Sequence, residues 1–329
     1  MPLLSNVKRP DPGSQHTAGV HVPGTQPFGK LRHRIYVQRY LLLMSAPFLV
    51  WLFIFRYVPI WGWTMAFQHY RPGRSFFDQQ WVGFEQFARI FTDQRFYIVM
   101  RNTLAMSILG LVFGSIAAIG FALLLNELRV HRFKRVVQTI SYLPHFVSWV
   151  VVASLFTRLL SVNGALNDLL IALGIRENPI QFLLDGRLFW WLVTFITVWK
   201  DTGWNAIIYL AAIAAIDPQL YEAAWVDGAN RLQQTWHITI PGMMPTVTVI
   251  LIMNIGWLVS IGFERQMLLA NPLVMEYAEV LDLYVLNYGI RLGRFSYGTA
   301  LGIFKSLVSI VLVLGANYSA RRVKLNAIV

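Results

Sequence analysis

The chain has 329 residues, of which 56% are hydrophobic and only 13% are charged, and its net charge is +12. Soluble domains carry about 25% charged residues, so this composition excludes an ordinary soluble domain and predicts a helical membrane protein with several spans. The positive charge is typical of loops that hold a membrane protein in one orientation rather than of nucleic-acid binding, and the absence of cysteine excludes disulfides, thiolate catalysis and Cys-ligated metal sites.

Residues 1–39 precede the first apolar run and are predicted to form a cytoplasmic tail. About the first 29 are rich in Pro, Gly, Ser and Thr without periodicity, which predicts disorder. Residues 30–40 are basic and amphipathic, a pattern suited to anionic lipid headgroups. No compact signal peptide precedes the apolar run, so we expect that run to remain as a membrane anchor.

Six apolar segments predict an all-α membrane domain over residues 40–317, followed by a short cytoplasmic tail at 318–329. In chain order they cover about residues 40–67, 97–125, 136–160, 188–216, 245–269 and 299–317. Each can cross a hydrocarbon core of about 30 Å at about 1.5 Å per residue, some with tilt.

The basic residues of the loops predict the orientation of these spans. If both termini are cytoplasmic, the inner segments hold 14 Lys and Arg residues and the outer loops 68–96, 161–187 and 272–298 hold 8. Cytoplasmic loops carry the excess of Lys and Arg. Both termini and residues 217–241 are therefore expected on the cytoplasmic side.

A polar segment, residues 217–241, lies between the fourth and fifth apolar runs and is predicted to contain two short helices. Asp217, followed by a proline, is a favourable helix start. Gly228 predicts a bend. Asn230 with Gln233 resembles a capping box that begins the second helix.

The side chains of this segment leave its role open. Four large apolar residues recur at steps of four, seven and four residues, which is helical spacing: Tyr221, Trp225, Leu232 and Trp236. Asp227 is expected to pair with Arg231 four residues on, and Pro241 and Pro245 are expected to end the second helix. Two interpretations remain at this point: a helix that rests on lipid headgroups, or a knob that docks into a partner protein.

The segment also resembles a known signature. The residues Glu222-Ala223-Ala224, then Gly228, then Ile238, Ile240 and Pro241 match EAA---G---------I-LP of ABC-importer permeases, with Ile240 in place of the usual Leu. The surrounding YLAAIAAIDPQLYEAAWVDGANR and the stretches RYVPIWGWTMAF and SYLPHFVSWVV resemble the LplB-like permeases for oligo- and polysaccharides, over about residues 36–325.

The resemblance implies a type I ABC-importer permease in a bacterial cytoplasmic (inner) membrane, with six transmembrane helices and a cytoplasmic coupling helix. It implies as partners a second, homologous permease, two ATP-binding-cassette ATPase subunits and an extracytoplasmic solute-binding protein. ATP and Mg would belong to the ATPase subunits, so this chain would be a pore subunit without catalytic residues. The residues expected to contact an ATPase are Glu222, Ala223, Ala224, Asp227, Gly228, Ile238 and Pro241.

Charged residues deep in the predicted spans point to a second site, because a charge at the bilayer centre costs several kcal/mol. Lys200 and Asp201, adjacent on one helix, point about 100° apart and cannot form a simple pair. Two alternatives stay open: interhelical ion pairs, such as Lys200 with Glu264 or Asp201 with Arg265, or the polar lining of a sugar path.

Aromatic and polar residues near these charges complete the predicted path. Its members are Trp199, Lys200, Asp201, Trp204, Asn205, Asn254, Trp257, Glu264 and Arg265. The six predicted spans contain six basic residues and two acidic residues. This surplus favours an acidic saccharide, as for the alginate importer's permease of the same group, over a neutral one.

Two other classes of function are alternatives to an ABC-importer permease. An ion-coupled secondary transporter could use Lys200, Asp201, Glu264 and Arg265, but would be expected to show inverted repeats. A membrane-embedded hydrolase would need a nucleophile–base set or a metal-ligand motif. Residues 24–30 match only the first part of a P-loop, which disfavours nucleotide binding by this chain.

Overall fold

A computed structural model describes residues 36–322 of the chain. The predicted disordered tail and all but the first residues of the C-terminal tail lie outside the described residues. The described residues divide into two compact units, with the boundary between Trp61 and Gly62. The second contains every site discussed below.

The first unit holds the start of the first predicted span. Helix α1, Arg39–Leu52, passes into a π-helical turn, Phe53–Tyr57, and then into a 3-10 helix, Val58–Phe67, that crosses the unit boundary. The continuous helical run Arg39–Phe67 is long and apolar enough to cross a membrane. Its large apolar side chains are mostly exposed, as expected of a helix whose solvent is lipid.

The second unit begins with a hairpin and the longest helix. Strand β1, Gln68–His69, pairs antiparallel with β2, Gln80–Trp81, with Gln68 opposite Trp81. A 3-10 turn, Phe76–Asp78, lies between the strands. The short helix α2, Glu85–Thr92, then leads to α3, Gln94–Glu127.

The third predicted span is two helices rather than one. Helix α4, His131–Phe146, and α5, Trp149–Leu159, meet at an angle of 100°. The bend follows from Pro144, which weakens the end of α4, and from Ser148, whose hydroxyl accepts a bond from Val151 N and starts α5. A short helix α6, Ala165–Ala172, precedes the fourth long helix, α7, Gly186–Ala214.

Residues 217–241 contain two helices, as predicted, but the second does not end at the prolines. Helix α8, Pro218–Val226, is followed by α9, Arg231–Gln234, by a π turn, Thr235–Thr239, and by α10, Ile240–Gly256. The last three run on as one helix of 26 residues, Arg231–Gly256. The wide π turn relieves the clash between the ring of Pro241 and the carbonyl four residues before it.

The fifth predicted span was wrong in its second half. The helix ends at Gly256, and residues 257–263 are not helical. At Gly262 the backbone takes a φ of +79°, which a helix cannot accommodate. The remainder of the predicted span is the separate short helix α11, Glu264–Leu269.

Three short elements precede the final long helix. They are α12, Met275–Ala278, α13, Leu281–Tyr284, and a π turn, Val285–Arg291. Helix α14, Phe295–Arg322, is longer at both ends than the predicted sixth span. It approaches the π turn closely, since a Cβ on Gly289 would lie 2.9 Å from the Gly298 Cα.

Within the described residues, four helical runs are long and apolar enough to cross a membrane, and six if each bent pair counts as one span. The predicted fold class, an all-α membrane protein, is confirmed. Helices α3 and α7 form the most extensive helix pair. Close contacts such as that of Gly203 with the Ser141 backbone bring α4 against α7, because a Cβ on Gly203 would lie 2.1 Å from the Ser141 carbonyl oxygen.

Candidate translocation cavity and coupling segment

A cavity of about 390 Å³ lies among α3, α7, α10 and the non-helical segment that follows α10. Its lining mixes apolar, hydroxyl and amide groups, and one guanidinium. The polar groups come from Ser107, Ser115, Thr194, Thr197, Asn205, Tyr209, Asn254, Ser260 and Arg265. A volume of this size holds a small ligand, such as one or two sugar rings.

The α3 wall of the cavity consists mainly of small residues. Ser107, Gly110, Gly114, Ser115 and Ala118 all line it. They recur at steps of one, three and four, which places them on one face of a helix. The predicted path does not include this wall, although the spacing of its small residues is visible in the sequence.

Of the residues that the structure describes, Arg265 is the only one with a charged side chain on the cavity wall. Its Nη1 donates to Thr197 Oγ1 at 3.3 Å and its Nη2 to the Ile261 carbonyl at 3.0 Å, while its buried Nε has no partner. No carboxylate among residues 36–322 lies within ion-pair distance of it, so the predicted Asp201–Arg265 pair is wrong. Asp201 and Asp282 act on its charge only from beyond ion-pair distance, so an anionic ligand in the cavity would be its nearest counter-ion.

Lys200 and Asp201 stabilise the bend between α4 and α5 and do not line the cavity. Lys200 Nζ donates to the carbonyls of Pro144, at 3.2 Å, and His145, at 2.5 Å. Asp201 Oδ1 lies 2.9 Å from His145 Nδ1. The ring of Trp204 stacks on that histidine, with centroids 4.6 Å apart and planes at 1°. Lys200 thus binds backbone carbonyls in the last turn of α4, and Asp201 and Trp204 hold the side chain of His145 there.

The remaining predicted path residues separate into two groups. Asn205, Asn254 and Trp257 lie on the cavity wall with Arg265. Trp199 packs edge-on against Phe156 at 5.3 Å, outside the cavity. Glu264 is exposed on a neighbouring groove, and it forms no ion pair with Lys200, so that alternative is wrong too. Of the nine predicted residues, four share the cavity.

The coupling segment, residues 217–241, has the local structure that its sequence predicts. Asp217 caps α8 by accepting from Gln219 N at 2.9 Å. Gly228 has a φ of +80°, so the bend uses a conformation that favours glycine. Asn230 and Gln233 form the predicted capping box, with reciprocal bonds of 2.9 and 2.7 Å.

The predicted pairing of Asp227 with Arg231 is wrong. Asp227 is the C-cap of α8, and Arg231 begins the next helix beyond the Gly228 bend, so the two do not share a helix face. Arg231 instead forms an ion pair of 2.9 Å with Glu127, the last residue of α3.

One face of the coupling segment is open to its surroundings. Glu222, Ala223, Asp227, Gly228 and Pro241 are exposed, and Ala224 and Ile238 are half-buried. The large apolar side chains Trp225, Val226, Leu232 and Trp236 are also exposed, at 75%, 78%, 67% and 61%. The fourth member of the predicted stripe, Tyr221, turns inward and bonds Thr239 at 3.0 Å.

The coupling segment is attached to all three helices of the cavity. It follows α7 after a bend of 68° and continues without a break into α10. Its Arg231 holds the end of α3. The segment is thus covalently continuous with α7 and α10, and it contacts α3 through one exposed ion pair.

At the opposite end of α3, a buried polar network joins that helix to the region of α12–α14. Asn102, fully buried, donates to the carbonyls of Glu276, at 2.7 Å, and Glu279, at 3.0 Å. Glu279 in turn pairs with Arg95 at 2.7 Å. Lys305, one of the basic residues within the six predicted spans, pairs with Asp282 at 2.5 Å. No local pattern indicates these partners, because they are far apart in the chain.

A tyrosine cluster supports the same region. The Asp93 carboxylate accepts from the hydroxyls of Tyr284, at 2.5 Å, and Tyr297, at 3.3 Å, and it also caps α3 through Arg95 N. Burial, together with the bond to Asp93, raises the pKa of Tyr284, which lies outside the spanning helices, well above its ordinary value. The hydroxyl therefore remains a donor at any physiological pH.

Across residues 36–322, no group of three or more His, Asp or Glu side chains is arranged to hold a metal ion. Comparison with known families gives a clear match: the model described as "Binding-protein-dependent transport system inner membrane component" covers residues 110–325.

Two relatives from Bacillus subtilis (strain 168) match most of the chain. One is described as polygalacturonan/rhamnogalacturonan transport system permease protein YteP, 45% identical over 89% of this chain and 91% of its own. The other is protein LplB, 42% identical over 86% of this chain and 89% of its own.

Two solved structures share the fold. A chain of a bacterial ABC transporter involved in the import of the acidic polysaccharide alginate is 38% identical, with a TM-score of 0.82 over 89% of this chain and 99% of that one. A chain of a bacterial alginate ABC transporter in complex with an alginate pentasaccharide-bound periplasmic protein is 37% identical, with a TM-score of 0.83 over 91% of this chain and all of that one.

Proposed function

Because this chain belongs to the family of inner-membrane components of binding-protein-dependent transport systems, we propose that it carries an acidic oligo- or polysaccharide through the cavity of α3, α7 and α10. The chain is the permease of an ABC importer with the type I fold. It works with a second permease, with ATPase subunits and with a solute-binding protein outside the membrane. ATP hydrolysis belongs to the ATPase subunits, and both termini of this chain are cytoplasmic.

The attachment of the coupling segment to every helical cavity wall is the observation that carries this proposal. Glu222, Ala223, Asp227 and Gly228 lie on its open face, where an ATPase subunit can reach them. Exposed Trp225 and Trp236 provide apolar area that a partner surface can cover. When the ATPase subunits close, they push this segment, and α7, α10 and α3 move between two arrangements of the cavity.

Arg265 supports an acidic substrate. Its guanidinium faces the cavity without a carboxylate partner, and a guanidinium binds a carboxylate through two parallel hydrogen bonds. Trp257, 65% exposed, offers an apolar face for a sugar ring beside it. One relative is described as a polygalacturonan/rhamnogalacturonan transport permease, and one solved structure as importing the acidic polysaccharide alginate. The uronate units of such polymers each bear one carboxylate.

Uptake into liposomes tests the proposal. The chain is reconstituted with its partner permease, ATPase subunits and solute-binding protein, and uptake of a galacturonate pentasaccharide is compared with that of maltopentaose. We expect ATP-dependent uptake of the uronate. Arg265→Gln should lower it by about tenfold, and Arg265→Lys should lower it less, because the charge is kept but the bidentate geometry is lost.

Equal uptake of both sugars by the wild type would contradict the acidic substrate. Uptake by this chain alone, driven by an ion gradient, would contradict ATP coupling and favour the secondary-transporter alternative. That alternative has little support in the geometry, because the four charges do not form one ion site. Lys200 and Asp201 contact the end of α4, Glu264 lies on a neighbouring groove, and Arg265 lies on the cavity wall.

A further inference from the structure

A second polar pocket lies far from the cavity, where the β1–β2 hairpin meets α2 and the start of α14. This hairpin pocket has a volume of about 510 Å³. Its lining includes Tyr70, Arg71, Gln86, Asp93, Arg294 and Phe295. Neither the cavity nor the coupling segment accounts for it.

The pocket is preformed by hydrogen bonds between separate elements. Tyr70 N donates to Ser296 Oγ at 2.9 Å, which fixes the hairpin to α14. Buried Gln79 bonds both the amide and the carbonyl of Arg71, at 2.8 and 3.2 Å, and so holds the turn that carries this arginine. Gln86 meets His69 at 3.3 Å and closes the side formed by α2.

The charges of the pocket leave two guanidinium groups available. Asp93 is occupied by the hydroxyls of Tyr284 and Tyr297, and Arg89 is paired with Glu85 at 2.7 Å. Arg71 and Arg294 form no ion pair with any residue that the structure describes. Both are exposed at the pocket, so their side chains can turn toward a ligand.

Aromatic rings lie beside these cations. Tyr70 and Phe295 meet edge to face with centroids 6.0 Å apart, and both line the pocket. A ring face with adjacent guanidinium and amide groups matches a sugar that bears a carboxylate: the apolar face of the sugar packs on the ring, and the carboxylate accepts from arginine.

The position of the pocket follows from α3. Asp93, its N-cap, lines the pocket, and Glu127, its last residue, binds the coupling segment. The 34 residues of α3 separate the two by about 50 Å, more than the hydrocarbon core of a bilayer. With the coupling segment in the cytoplasm, the hairpin pocket faces the extracytoplasmic side.

The geometry points to a second saccharide site: the hairpin pocket binds a uronate unit of the substrate outside the membrane, with Arg71 and Arg294 on its carboxylate. This rests on the proposed function for the class of substrate, but not on the cavity site. A cationic pocket at the entrance raises the local concentration of an anionic oligosaccharide and holds part of a long chain while its end enters the cavity.

Binding to the complete importer tests this assignment. The complex is placed in phosphatidylcholine nanodiscs, which contain no anionic headgroup, and a galacturonate pentasaccharide is titrated without solute-binding protein. The Arg265→Gln background isolates the hairpin pocket. There we expect uronate binding to persist and to weaken about tenfold when Arg71→Gln and Arg294→Gln are added, since charge-assisted hydrogen bonds are lost.

Matched variants identify the cause of the change. Arg71→Lys with Arg294→Lys should retain most of the affinity, and Arg176→Gln, an exposed arginine that does not line the pocket, should retain all of it. Maltopentaose should not respond to any of these variants. Melting temperatures of the variants should equal that of the parent complex, because both arginine side chains are exposed.

Three results would overturn the assignment. Complete loss of uronate binding in Arg265→Gln alone would leave the cavity as the saccharide site and the proposed function intact. Unchanged uronate binding after Arg71→Gln and Arg294→Gln would show that the hairpin pocket does not bind the saccharide, and it would leave the proposed function intact. A loss of affinity for the solute-binding protein, with free uronate still bound normally, would make the pocket a protein-docking surface. Import of maltopentaose but not of the uronate would instead contradict the proposed substrate class.

Discussion

The two ends of α3 differ in how far their polar side chains are buried and bonded within the chain. At one end, Glu127 meets Arg231 in an ion pair whose side chains are 42% and 57% exposed, and large apolar residues of the coupling segment remain uncovered. At the other end, Asn102 and Glu279 are buried and fully bonded. The end at Asn102 satisfies its polar groups within the chain. The end at Glu127 leaves apolar side chains exposed, and we propose that a partner covers them.

The largest expected effect tests the buried end. Asn102→Ala removes the donor to the carbonyls of Glu276 and Glu279, and unsatisfied buried acceptors should lower the free energy of unfolding by about 2–4 kcal/mol. Equilibrium unfolding in mixed micelles measures this change. Asn205→Ala, an exposed amide on α7, is the control and should unfold like the wild type.

If Asn102→Ala and Asn205→Ala unfolded alike, the buried network would contribute nothing to stability. The contrast between the two ends of α3 would then be one of exposure only.

The next effect tests the open end. Ala223 is exposed on the coupling segment, so Ala223→Trp adds bulk where a partner groove would have to accept it. We expect ATP-driven uptake to fall at least tenfold, equivalent to about 1.4 kcal/mol, while the melting temperature of the isolated chain does not change. Uptake in liposomes and thermal unfolding measure the two quantities.

Ala223→Ser is the matched control, because it keeps the side chain small at the same position, and it should transport normally. Normal uptake by Ala223→Trp would favour the alternative in which the segment merely rests on lipid headgroups.

The smallest effect concerns the ion pair that joins the coupling segment to α3. Exposed pairs contribute about 0–1 kcal/mol, so Arg231→Gln, Glu127→Gln and the double variant should differ little in stability. A double-mutant cycle on unfolding isolates the coupling energy. A coupling energy well above this range would mean that the pair is a structural lock rather than a weak tether.

Local patterns predicted the coupling segment well. The Asp217 cap, the Gly228 bend and the box of Asn230 with Gln233 are all present, because each depends only on residues within one or two turns. Two local predictions failed: Arg231 pairs with Glu127 rather than with Asp227, and Pro241, which was expected to end a helix, instead follows a π turn. The pattern of proline alone does not reveal that the preceding turn can widen.

The cavity was predicted less completely. Charge identified Arg265, and the amides Asn205 and Asn254 also lie on its wall. Lys200 and Asp201, equally charged and equally deep in the sequence, are used by the α4–α5 bend. Burial of a charge indicates that some group must compensate it, but the identity of that group depends on which helix lies opposite.

The sequence by itself determined the membrane class, the approximate spans and the coupling segment, because hydropathy, capping and signature spacing are local properties. Tertiary structure alone decided which side chains share the cavity, which carbonyls Asn102 and Lys200 bind, and that Arg71 and Arg294 line one pocket. Those contacts join residues far apart in the chain, and they depend on the bends at residues 147–148 and 257–263, whose angles no local pattern fixes.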